Sequence, residues 1–124
     1  MIIVDTSVWV EFFKGRQPYF LKLSELLEES QVLAMECIFA ELMQGAKNKH
    51  ESDIINEYWL NLPKNTEQGI FLKAGLESGK NRWFRKGLGL IDSAIIILAR
   101  ETGSTIWTLD KKLRIVLRKD GSYE

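Results

Sequence analysis

Four acidic residues stand where a carboxylate is chemically useful and solvent exposure alone explains it poorly. Asp5 directly follows the β-branched run Met1-Ile2-Ile3-Val4, and Asp110 closes a second such run at 105–108, so each ends an expected buried strand. Asp92 opens the apolar stretch 93–100, and Glu41 lies beside the apolar stripe of Ile38, Phe39, Leu42, Met43 and Ala46 on an expected helix. In open parallel α/β sheets the ligand crevice lies outside the carboxyl ends of the strands, so Asp5 and Asp110 are expected to point into it. Four carboxylates converging there, at separations of about 4 Å in a partly dehydrated site, repel one another strongly, and a bound cation relieves that repulsion. Hard oxygen donors with no Cys or His beside them favour Mg²⁺ or Mn²⁺ over zinc. Such an ion lowers the pKa of a bound water and neutralises charge developing on a phosphodiester, so phosphodiester hydrolysis fits these parts.

Each acid also has a plainer use. Asp5 and Asp92 can cap the helices that follow them, Asp110 can be a turn residue, and Glu41 can sit half exposed at the edge of its stripe. The coincidence of two buried strands both ending in Asp favours the chemical reading. The hydroxyls of Thr6, Ser7 and Thr108 adjoin the carboxylates and can orient them or a bound water, although a cap or strand-end bond is the simpler role for Ser7.

The elements that must position these groups follow from periodicity. After the opening strand, Thr6 or Ser7 can cap a short helix carrying Val8, Trp9, Phe12 and Phe13, which Gly15 ends. Phe20, Leu23 and Leu27 mark an amphipathic helix over 18–30, residues 31–35 a second strand, and the Glu41 helix follows, with Gly45 expected to allow a close approach. Helices are expected over 51–60 and 66–79, with Leu62-Pro63 closing the first of them. The stretch 80–89, mixing basic residues with Trp83, Phe84 and two glycines, is expected to end in a loop that leads to Asp92; a core helix spans 93–100 and stops at Thr102-Gly103, and 113–117 forms a last helix after the strand at 105–108. Strands alternating with helices predict an α/β fold with a parallel sheet.

Composition sets outer bounds. The 124 residues, 45% of them hydrophobic, suit one domain spanning 1–124, and no linker or repeat divides them. The apolar run 94–99 is too short to cross a bilayer, and Asp5 interrupts the N-terminus before a signal-peptide core can form, so the expectation is a cytoplasmic protein without membrane contact. The lone Cys37 excludes an internal disulfide and a zinc knuckle and is expected to be a small buried hydrophobe; His50 has no partner at ligand spacing and is expected to be exposed and inert. The net charge is zero, yet residues 80–119 hold ten Lys or Arg against three acids, two of which are Asp92 and Asp110. Carboxylates set in a basic surround can be a footprint for nucleic acid, and equally a set of solvated helix faces.

The opening run Met1-Ile2-Ile3-Val4-Asp5-Thr6-Ser7-Val8-Trp9 resembles that of PIN-domain ribonucleases, especially the VapC-type toxins of toxin–antitoxin pairs. Ala40-Glu41-Leu42-Met43-Gln44-Gly45, Gly89-Leu90-Ile91-Asp92-Ser93-Ala94-Ile95 and Thr108-Leu109-Asp110 agree in order over nearly the whole chain. The resemblance implies a PIN-like three-layer fold with a short central parallel sheet flanked by helices. It also implies catalytic Asp5, Glu41, Asp92 and Asp110, with Asp5, Asp92 and Asp110 holding Mg²⁺ or Mn²⁺ and Thr6 supporting them, a role that Thr108 is expected to share from its place beside Asp110. The chain departs from the family's pattern in ending soon after Asp110, which leaves the final strand open, and in placing Leu113 where an aromatic residue is frequent. The implied substrate is single-stranded or looped RNA, whose exposed bases are readable where an A-form groove is not. Arg82, Arg85, Lys86, Lys111, Lys112 and Arg114 are the candidates for its backbone. Trp83 and Phe84 are open to two readings, stacking platforms or core and interface.

The resemblance further implies a homodimer and a protein antitoxin whose helix covers an apolar groove, for which Ile55, Tyr58 and Trp59, or Trp9 and Phe13, are candidates and equally candidates for plain core. Two other classes compete with this reading. A catalytically silent PIN-like domain that only binds RNA or protein would tolerate loss of the acids, and all four stand. A phosphoryl-transfer domain wants a second acid beside the first Asp, where Val4 and Thr6 flank Asp5 instead.

Overall fold

The computed structural model describes residues 1–120, with side chains described through Arg118. Three short strands, β1 (Ile2–Val4), β2 (Val32–Leu33) and β3 (Thr105–Trp107), form a parallel sheet in the order β2-β1-β3. Ile3 pairs with Leu33 on one side and Ile106 on the other, and Val4 faces Trp107. Beyond β2, Ala34 bridges Lys64 in parallel. With β1 central, the chain leaves it first for β2 and then crosses back to β3. Right-handed crossovers therefore place the β1–β2 connection and the helix entering β3 on opposite faces of the sheet. That is the layered α/β architecture expected from the sequence.

The β1–β2 connection is α1 (Thr6–Phe13) and α2 (Tyr19–Glu28), and the return carries α3 (Glu36–Gln44), α4 (Lys49–Asn61), α5 (Ile70–Asn81) and α6 (Leu90–Thr102). Helix α6 is the hub. Every residue from Ser93 to Ala99 is buried, because α5 covers one side of the helix and β3 packs beside it, as an all-round apolar helix requires. Gly103 ends it at φ +66°. After β3 the chain forms α7 (Lys111–Asp120), whose Leu113, Val116 and Leu117 are buried. Thus helix follows Asp110 within the described residues, and Leu113 fills core; a final strand beyond 120 lies outside them.

Local corrections follow from the side chains. Asp5, not Thr6 or Ser7, caps α1, accepting from the Thr6 backbone N–H. The stretch 80–89 opens with the end of α5 and a 3-10 turn at Trp83–Lys86 and ends, as expected, in a loop at 87–89 before α6. Gly45 admits no close approach, since a β-carbon there would meet only carbonyl oxygens at 3.7 Å. Cys37 is buried, and burial, with the charges of Glu67 and Glu41, pushes its thiol up to about 12, so it is an inert hydrophobe as expected. His50 is exposed in the first turn of α4.

Ile95 is fully buried on the sheet-facing helix. Ile95→Ala is expected to lower stability by about 2–5 kcal/mol, read as an earlier denaturant midpoint at unchanged slope. Leu72→Ala, at a residue 84% exposed, is expected to stay within about 0.5 kcal/mol.

Candidate active site

Because the crossovers from β1 and from β2 run in opposite directions, the strand order reverses between β1 and β3, and a crevice opens there at the carboxyl ends. Asp5 follows β1 and Thr108 follows β3, directly across it. The register continues one step past the strands, where the Asp5 backbone N–H donates to the Trp107 carbonyl at 2.9 Å. Asp5 is 7% exposed and Thr108 fully buried, so their polar atoms need partners within the fold.

They find them in each other. The Thr108 hydroxyl donates to Asp5 Oδ2 at 2.7 Å and accepts the Asp110 N–H at 3.0 Å. The Ser7 hydroxyl donates to the same Oδ2 at 3.0 Å and accepts the Leu109 N–H at 3.1 Å. Oδ1 accepts the Thr6 N–H at 2.8 Å. Two hydroxyls therefore bridge the Asp5 carboxylate to the backbone that carries Asp110, and Ser7, for which a cap or strand-end bond is the simpler expectation, instead takes the orienting role. Glu41 is held from the other side, since Thr6 Oγ1 donates to its Oε1 at 2.7 Å. Asp110 caps α7, accepting the Lys112 N–H at 2.9 Å.

Asp92 completes the group from the first turn of α6, where it accepts the Gly89 N–H at 3.3 Å. Burial pushes its carboxyl up to about 6; the Gly89 bond opposes this, and the charges of Asp5, Asp110 and Glu41 add to it. The charges of Asp5, Asp110 and Glu41 thus reach Asp92, so the fold brings the four sequence-predicted acids together. Among the described residues no three Asp, Glu, His or Cys side chains close into a ligand cage. Hard carboxylate oxygens are nonetheless the donor type that suits Mg²⁺ or Mn²⁺, because Mg²⁺ keeps several waters and is held by one or two carboxylates together with substrate phosphate.

The predicted RNA contacts divide. Arg82, Arg85, Lys86, Lys111 and Lys112 are exposed, on the 3-10 turn and its entry and on the first turn of α7. Arg114 is half-buried, and its Nε donates to the Thr108 carbonyl at 2.9 Å, so it braces the strand end that holds Asp5. Trp83 is core, buried beneath the Arg100 guanidinium at 5.4 Å, while Phe84 is exposed with Arg85 beside its ring. Of the groove candidates, Trp9 is buried in a ring cluster with Phe12, Phe39 and Tyr58, and Trp59 lies under the Lys64 ammonium. Phe13 and Ile55, with Val10, Leu42 and Ile54, instead line a groove of about 290 Å³ that reaches Thr6 and Glu41.

Comparison with known proteins agrees with this geometry. The family model described as PIN domain matches residues 2–118. The chain is 28% identical to Ribonuclease VapC32 of Mycobacterium tuberculosis, from strain CDC 1551 and from strain H37Rv alike, over 98% of its own length and 94% of that protein's.

The raised Asp92 carboxyl has a measurable sign. Between the ordinary aspartate value of 3.8 and about 6, the folded state holds more protons than the unfolded state. Its contribution to stability is therefore full below that window and lost as pH rises through about 6. In EDTA, Asp92→Asn is expected to melt at a higher temperature than wild type at neutral pH, with the difference closing as pH falls toward 4. A difference that stays constant across that range would contradict the electrostatic cause.

Proposed function

The chain belongs to the PIN-domain family, and from that premise we propose that it is an Mg²⁺- or Mn²⁺-dependent endoribonuclease, a single PIN domain over 1–124, acting in the cytoplasm as the toxin of a toxin–antitoxin pair. The observation that carries this reading is the gathering of Asp5, Glu41 and Asp110 around Asp92, whose carboxyl is raised first by burial and then by the charges of those three. The name of the relative, a ribonuclease, supports the substrate class.

In this reading Asp5, Asp92 and Asp110 hold the ion and Glu41 completes the catalytic set. The ion, when bound, supplies a nucleophilic water at neutral pH and neutralises charge on the phosphoryl oxygens. The protein's own groups do the positioning. Ser7, Thr108 and the Thr6 N–H fix both oxygens of Asp5, and the Thr6 hydroxyl turns Glu41 toward the crevice. Arg82, Arg85, Lys86, Lys111 and Lys112 draw in and hold the RNA backbone, and exposed Phe84 offers a ring on which a base can stack. The groove reaching Thr6 and Glu41 is the proposed seat of an antitoxin helix, which would block the site while burying Val10, Phe13 and Ile54. A homodimer has a candidate face in the exposed Phe71, Leu72 and Leu76 of α5.

Asp5→Asn keeps the shape and an acceptor while removing the charge. It is expected to lower the rate of single-stranded RNA cleavage in Mg²⁺ at least about a hundredfold, the scale of losing part of the ion's transition-state stabilisation. Wild-type cleavage should stop in EDTA and return with added Mg²⁺ or Mn²⁺. Tight RNA binding with no cleavage under any metal would instead favour a binding domain.

A further inference from the structure

Gly87 ends the 3-10 turn in the left-handed region, at φ +88°. A β-carbon built there would stand 2.8 Å from Lys112 Cδ and 3.2 Å from both its Cε and its Nζ. The Lys112 side chain therefore lies flat across the glycine, in space that any other residue would occupy. Its backbone N–H, at the other end, donates to Asp110 Oδ1 at 2.9 Å. One residue thus ties the basic turn to an acid of the crevice.

Packing alone does not account for this arrangement. Among the described residues the Lys112 ammonium has neither a hydrogen bond nor an ion pair. It is seated on a turn that already presents Arg85 and Lys86 with Arg82 at its entry, all exposed. Adding an unpaired cation to that cluster raises its repulsion. A polyanion reverses the sign of the same clustering, since each neutralised phosphate releases condensed counterions.

We propose that Gly87 is a positioning residue for the RNA backbone: its missing side chain seats Lys112 across the turn, so that Lys112 grips one phosphate jointly with Arg85 and Lys86 at a distance from Asp110 fixed by Lys112 itself. This rests on the ribonuclease reading and deepens it by assigning the part of the substrate that the turn recognises, an unpaired phosphodiester strand. Lys112 is the contact, and Gly87 acts only through it.

The test is the salt dependence of binding of a fluorescein-labelled single-stranded RNA, followed by anisotropy in EDTA so that no strand is cut. Gly87→Ala and Lys112→Ala are each expected to weaken binding about three- to tenfold at moderate salt and to reduce the slope of log affinity against log salt by about 0.7, the value of one single-strand phosphate contact. The double variant is expected to bind no more weakly than either single one. Gly87→Asn separates strain from obstruction, because Asn tolerates the left-handed region yet carries a β-carbon, and it is expected to behave as Gly87→Ala. An unchanged slope in Gly87→Ala, additive losses in the double variant, or wild-type binding by Gly87→Asn would each overturn the positioning role while leaving the ribonuclease reading intact. A wild-type protein that binds no RNA would overturn both.

Discussion

A carboxylate buried at the reversal point of a parallel sheet survives only if its oxygens find donors inside the fold, and Asp5 finds one of its three on the strand at the far side of the crevice. Parallel pairing sets Trp107 against Val4, which puts Thr108 opposite Asp5 and within 2.7 Å of it. Shifting β3 by one residue would turn the Thr108 hydroxyl to the other face and leave Asp5 Oδ2 with Ser7 alone. The register of three short strands and the geometry of the acidic crevice are therefore one constraint. The large apolar residues that hold the register, Ile3, Ile95 and Ile106, act on the site without touching it.

Most of that constraint was legible in the residues. A β-branched run too short to alternate, ending in Asp, marks both a buried parallel strand and the place where its ligand-facing end lies, so Asp5 and Asp110 were readable with their strands. The all-apolar stretch after Asp92 marked the core helix for the same reason. What escaped reading depended on contacts between segments distant in sequence. Ser7 looks like a helix-start residue until Leu109, far along the chain, supplies the N–H it accepts. Arg114 looks like one more surface cation until β3 offers it the Thr108 carbonyl. Trp83, set among basic residues and near two glycines, left the core and stacking readings open, and its burial, which decides for the core, follows from where α5 delivers the turn.

The choice between helix cap and site residue dissolves in the structure. Asp5 caps α1, Asp110 caps α7, and Asp92 accepts a backbone N–H in the first turn of α6. Three helix N-termini converge on the crevice, and each presents unsatisfied N–H groups and the positive end of a macrodipole to an acid. This offsets part of the repulsion among the carboxylates before any cation arrives, which allows a fold with such a cluster to form at all. Capping is how the acids are held, and their remaining oxygens are what chemistry can use.

The same reasoning explains why the offset is incomplete. Dipoles fall off within the first helical turn and each serves its own acid, whereas the repulsion felt by Asp92 comes from all three neighbours at once. Among the described residues Asp92 accepts one modest hydrogen bond, at 3.3 Å, where Asp5 has three donors. Its charge is thus less compensated than that of Asp5. Arg82, Arg85, Lys86, Lys111 and Lys112, on the basic turn and the start of α7, are exposed and so placed to attract a polyanion.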